Sequence, residues 1–273
     1  MLGAQLRRLR ESCGISRERA AEALRATHSK ISRLELGRSS FKQRDVADLL
    51  TLYGVTAEQD RAAMLDLARR ASTPGWWHRY GDILPSWFES YVGLESAASI
   101  IRSYEMQFVH GLMQTRDYAR AVVLIANSDK SGDEIERRVQ LRMQRQEMLT
   151  QPDAPRLWAV LDEAALHRAP GAPGVLRGQV EHLLELTTLP NVTLQIIPFR
   201  VGPHPAAGGP FTILRFAEPD LPDIVYLEQL NSSLYLDKRN DVSEYTHIMD
   251  QLCVQADGVA ATRRLLTEIR AGL

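Results

Sequence analysis

Cysteine is almost missing from this 273-residue chain: Cys13 and Cys253 stand far apart and form no CxxC pair. That spacing excludes a disulfide framework and a zinc knuckle, and leaves two buried thiols as the expectation. Long apolar runs are lacking as well, none reaching the roughly 18 residues of a membrane-spanning helix. The opening MLGAQLRRLRESCG has no apolar core with a small-residue cleavage site, so the expected location is the cytoplasm. The seven histidines show no HExxH or HxH spacing, and no metal is expected. No GxSxG elbow, P-loop or GxGxxG occurs, and the glycines of RAPGAPGVLRG (168–178) have loop spacing. Asp162 and Glu163, adjacent at the end of an expected strand, point to opposite faces and do not pair for acid-base work. The expectation is a protein without cofactor that is not an enzyme.

Net charge is small too, at −1, but it is unevenly spread. Residues 1–44 hold eleven Lys or Arg against four Asp or Glu, a net of +7, which leaves −8 on the other 229 residues. A basic head on an acidic body is the footprint of phosphate binding at one end. With 44% hydrophobic and 25% charged residues, the rest has the composition of an ordinary globular protein, long enough for two domains.

Periodicity then locates the elements. Leu2, Leu6 and Leu9 form one face of a first helix with Arg7, Arg8 and Arg10 interleaved, and Cys13-Gly14 ends it. Ser16 is placed to cap a second helix whose inner side is Ala20, Ala21, Ala23 and Leu24. Thr27 caps a third, HSKISRLE, which buries Ile31 and Leu34 and stops at Gly37. Two more helices follow near 43–53 and 57–70. From Arg17 to Leu36 the spacing fits a helix-turn-helix: Ala21 at the tight crossing, with Leu24, Ile31 and Leu34 joining the two helices. The turn position that usually holds Gly is Arg25, whose left-handed backbone costs about 1 kcal/mol or more, so a wider turn is one expectation.

With helix three in the major groove, the residues facing base edges are Thr27, His28, Ser29, Ser32 and Arg33, and Arg33 is suited to a bidentate guanine contact. Arg17, Lys30, Arg38, Lys42 and Arg44 are expected along phosphates.

The basic first helix, SxxxAAxxL and THSKISRLELG together resemble the xenobiotic-response-element class of lambda-repressor-like DNA-binding domains. That resemblance implies an internal salt bridge between Arg10 and Glu35. Beyond the head, PGWWHRYGDILPSWFESYVGLE (74–95), YEMQFVHGLMQTRDYARA (104–121), PNVTLQIIPF, GGPFTILRF and VYLEQL resemble the actinobacterial antitoxin-like, WhiJ-like regulators. His110 stands where those relatives more often have Pro. The resemblance implies a regulator with a C-terminal domain of unknown role, commonly encoded beside a short partner protein.

Residues 72–91 hold three of the four tryptophans; Trp76, Trp77 and Trp87 are candidates for an aromatic ligand site or an interdomain core. Helical patterns are expected at 93–106, 113–126 and 133–150. Past Pro152 the pattern gives a strand at 156–166, a helix at 178–189, strands at 192–199, 210–216, 223–230 and 232–237, and helices at 241–256 and 259–270. The expected architecture is an α helix-turn-helix domain (1–72), an aromatic interdomain segment (73–91) and a larger α+β regulatory and dimerisation domain (92–273), helical over 92–150 and α+β over 151–273, with a small, mostly antiparallel sheet. The expected function is a sequence-specific transcriptional regulator, a homodimer on double-stranded DNA, controlled through its C-terminal domain by a protein partner or small ligand. The alternatives are an enzyme with a DNA-binding head and an antitoxin-like interaction module that no longer binds DNA.

Overall fold

The computed structural model describes residues 2–35, 41–72, 75–218 and 221–273. Its contacts divide the chain into one unit of residues 1–76 and another of 77–273.

The first unit contains five helices: α1 (Leu2–Ser12), α2 (Arg17–Ala23), α3 (His28–Glu35), α4 (Gln43–Leu52) and α5 (Glu58–Ser72). The starts of α2 and α3 are capped by side chains. Ser16 Oγ accepts from the Arg19 N–H at 3.2 Å and Thr27 Oγ1 from the Lys30 N–H at 3.3 Å, satisfying helix-start donors that have no intrahelical acceptor. Leu2, Leu6, Ala20, Ala21, Ile31 and Leu34 meet Val46, Leu49 and Leu50 in one core. Gly3 is required where α1 crosses α3: a Cβ there would stand 2.4 Å from the Leu34 carbonyl oxygen. Cys13, expected buried, is exposed at the end of α1, its Sγ donating to the Tyr53 carbonyl at 3.1 Å; Cys253 is half-buried.

The second unit runs α6 (Ser86–Ala97), β1 (Ile100–Glu105), α7 (Arg116–Ala126), α8 (Gly132–Gln146), β2 (Arg156–Asp162), α9 (Pro173–Leu186), β3 (Val192–Ile197), β4 (Phe211–Arg215), β5 (Ile224–Glu228), β6 (Ser233–Leu236), α10 (Arg239–Gln255) and α11 (Val259–Gly272). The strands form one mixed α+β sheet in the order β3-β2-β1-β4-β5-β6. Three of its five pairings are antiparallel; β1–β2 and β2–β3 are parallel, joined by the helical crossovers that parallel neighbours need.

The single helix expected over 93–106 is instead α6 followed by β1. Its apolar residues Leu94, Ala97, Ile101 and Tyr104 fit helical spacing, but from Ser99 onward the chain gains hydrogen-bonded neighbours on both sides, β2 and β4. Tertiary pairing outweighs that local pattern. One sheet face carries Tyr104, Val160, Phe211, Ile213 and Val225 against Met249 and Leu252 of α10. On the other face, register aligns Ser103 with Thr212 and Thr212 with Tyr226, beneath α6 and α8.

The aromatic segment packs locally. Trp77 lies against Gly93 of α6, and Trp87 meets Phe88 edge to face. Phe88 stacks on Tyr91, and Tyr91 on Tyr226 with ring centres 4.1 Å apart. Trp76 falls in the first unit's residue range and Trp77 in the second's.

Candidate nucleic-acid interface

The first unit positions α3 by tying its last residue to two other helices. The Glu35 carboxylate accepts from Arg10 Nε at 2.5 Å and Nη2 at 3.1 Å, and from Arg17 Nε at 3.1 Å. Arg10 and Glu35 are only 6% and 7% exposed, so this is a buried, forked pair. The hydrogen bond to Glu35 holds the Arg10 guanidinium above its ordinary pKa, outweighing the opposite pull of burial. Arg10 also donates to the Ile15 carbonyl at 2.8 Å, fixing the α1–α2 connection.

Between α2 and α3 the turn is tight, and the expectation of a wider one is corrected. Arg25 takes the left-handed conformation itself, at φ 49°. Its N–H donates to the Glu22 carbonyl and that of Ala26 to Ala21, the paired closure that usually has glycine at this place. Two backbone hydrogen bonds and the burial of Ala20 and Ala21 hold the arginine in place.

With Ile31, Leu34 and Glu35 inward, α3 turns a polar face outward. Thr27, His28, Ser29 and Arg33 are exposed and Ser32 is half-buried, so the five expected base-facing residues lie on one continuous stretch. Arg33 has no side-chain partner among the described residues, leaving both edges of its guanidinium open. His28 lies 3.4 Å from Glu18 of α2.

The expected phosphate contacts separate into three groups. Lys42 and Arg44 are exposed at the start of α4. Arg17 and Lys30 are half-buried and committed within the fold, Arg17 to Glu35 and Lys30 to Asp45 at 2.6 Å. Arg38 lies outside the described residues. Asp45 was invisible to sequence reasoning, because only the fold brings α4 beside α3.

The second unit holds a polar interior that the sequence did not signal. Arg145 makes two 2.8 Å bonds to Glu95, both groups buried, with the guanidinium over the rings of Phe88 and Tyr91. Burial works to raise the Glu95 pKa, but Arg145 brings it below the usual carboxylate value. His110 is buried beside them and pushed down to about 4, first by burial. On the opposite sheet face, Tyr104 Oη and His204 Nε2 are 3.0 Å apart, with Asp162 at 3.6 Å from the same nitrogen. Among the described residues, no three His, Cys, Asp or Glu side chains gather as metal ligands, and no helix is long and apolar enough to cross a membrane.

Two family models match the chain. Residues 1–64 match a helix-turn-helix domain, and residues 88–268 match a family described as a domain of unknown function, DUF5753. No curated protein and no solved structure matches.

Proposed function

The chain belongs to the DUF5753 family with a helix-turn-helix domain ahead of it, and from that premise we propose a sequence-specific, double-stranded-DNA-binding transcriptional regulator in which α3 is the recognition element. One observation carries this reading. An eight-residue helix is fixed on its inner side by Ile31, Leu34 and the Glu35 lock, while Thr27, His28, Ser29 and Arg33 face outward. Rigid support with an open, hydrogen-bonding outer face is what base reading in a major groove requires. Lys42 and Arg44 supply sequence-independent phosphate contacts, and Lys30 and Arg17 contribute charge from partly committed positions.

The active species is a homodimer in the cytoplasm, because one small head covers few base pairs and a linked second head raises affinity by about 10² to 10⁴ without new contacts. The 77–273 unit carries self-association and control, by a short protein partner or a small ligand that favours one arrangement of the heads. The antitoxin-like, WhiJ-like relationship is part of this proposal. No catalytic step is assigned to the chain.

Genome-wide mapping of bound sites tests the reading. A shared sequence motif under the bound sites supports it; occupancy that follows DNA accessibility without a motif contradicts it.

A further inference from the structure

The two edges of the sheet differ. At β3 the edge is closed by the α10–α11 connection and the first turn of α11: the Asp257 N–H donates to the Ile196 carbonyl at 2.8 Å, and the Ile196 N–H donates to Thr262 Oγ1 at 3.2 Å. At β6 the strand order ends with no such cover among the described residues. The strand itself reads Ser-Leu-Tyr-Leu, with neither the charged residue nor the proline that commonly keeps an open edge from pairing.

Which backbone groups of β6 are open follows from its pairing with β5. The Gln229 N–H donates to the Ser232 carbonyl at 2.9 Å, so the hairpin closes on a hydrogen-bonded pair. Bonded and non-bonded pairs alternate along an antiparallel ladder, and the register then makes Leu227–Leu234 and Val225–Leu236 the bonded ones. Ser233 and Tyr235 therefore aim their N–H and carbonyl groups away from β5, where they meet no partner among the described residues. The side chains divide between the two faces. Tyr235 is committed on the α6 side, its ring beside Tyr226 and its Oη donating to the Trp87 carbonyl at 2.5 Å. Leu234 lies on the other face and is 54% exposed, and Leu230 of the connecting turn is fully exposed.

We infer that the β6 edge is the self-association surface of this chain: two copies pair β6 with β6, antiparallel, about a two-fold axis at Leu234. The pairing presupposes the homodimer of the proposed function and supplies its surface.

A second copy is the occupant because the edge is complementary to itself. With the axis at Leu234, Ser233 of one copy stands opposite Tyr235 of the other, and the outward N–H groups of each strand meet the outward carbonyls of its mate. Leu234 meets its own copy at a non-bonded position, where Cα atoms stand about 4.5 Å apart and side chains approach most closely. The strand is uncharged, so the axis brings no like charges together. Each copy's other edge is closed at β3, so the pairing stops at two copies instead of growing into a longer sheet. Four residues per strand make a small contact, which gives a dimer that exchanges with monomer on dilution.

Sedimentation of the full chain without DNA, with two substitutions at the exposed Leu234, tests the edge. Leu234→Asp sets two carboxylates against each other at the axis and is expected to raise the dimer dissociation constant at least about tenfold. Leu234→Cys puts two thiols at a Cα separation inside the roughly 4.4–6.8 Å that a disulfide bridges. Mild oxidation is then expected to join the copies through residue 234, read by mass spectrometry of the linked peptides. A wild type that stays monomeric at every concentration overturns the edge and the homodimer together. A wild-type dimer whose dissociation constant is unchanged in Leu234→Asp overturns the edge and leaves the homodimer standing. So does a Leu234→Cys dimer that forms no link between its two residues 234. If Leu234→Asp fails to fold, the disulfide decides.

Discussion

Arg33 and Arg44 carry the same charge on neighbouring helices, yet the proposed reading assigns them different work. Arg33 projects from the exposed face of α3 with an open guanidinium, whereas Arg44 lies at the start of α4. Arg33→Ala is expected to cost about 1–3 kcal/mol on the preferred sequence and to relax selection at one base pair. Arg44→Ala should weaken all sequences alike and reduce the slope of log affinity against log salt by about 1, both read by titration at several salt concentrations. Arg25 is a separate case. It holds a left-handed conformation at φ 49° that glycine adopts without strain. Arg25→Gly is expected to raise first-unit stability by about 1 kcal/mol in denaturant titration. An unchanged midpoint would show that the two turn hydrogen bonds already offset the strain.

At the scale of elements, the α1–α3 junction holds α3, the proposed recognition helix. Glu35→Ala removes the acceptor of both Arg10 and Arg17 and leaves the Arg10 charge buried, at an expected cost of about 3–5 kcal/mol. Gly3→Ala drives a methyl group into the Leu34 carbonyl and should cost about 1–3 kcal/mol at the same junction. Both changes are measured on the first-unit transition of the full chain, since two units need not unfold together. In the second unit, His110 has its folded pKa depressed to about 4, so its stabilising contribution is present above the usual 6.5 and is lost as pH falls toward 4. Replacing His110 with Gln should flatten that part of the acid limb. These elements also mark what the sequence could disclose. The helix-turn-helix was legible because small and aliphatic residues at Ala21, Leu24, Ile31 and Leu34 are demanded by contacts between helices close in sequence. The Arg10–Glu35 pair came from family resemblance, and the structure contains it. β1 was misread because Ile101 and Tyr104 fit helical spacing, and the strand exists only through partners more than fifty residues away. Glu95 and Arg145 gave no signal, since charged residues on a helix read as a solvated face until the fold buries them.

At the scale of the molecule, a basic helix-turn-helix unit precedes a DUF5753 unit of different architecture and opposite net charge. Specific affinity from so small a head calls for two of them, and the larger unit is where dimerisation and control are proposed. Sedimentation and operator titration of the full chain test that arrangement: a dimer that loses affinity on dilution into monomers is expected, and equal operator affinity for the monomer contradicts it. Underneath stands the claim that α3 reads bases. Its most direct test is selection from random double-stranded DNA by the full-length wild type and by Arg33→Ala in parallel. The account predicts one enriched motif for the wild type and loss of preference at a single position for the variant; a wild type that enriches no sequence, or a variant that selects the same motif with the same preference at every position, contradicts it.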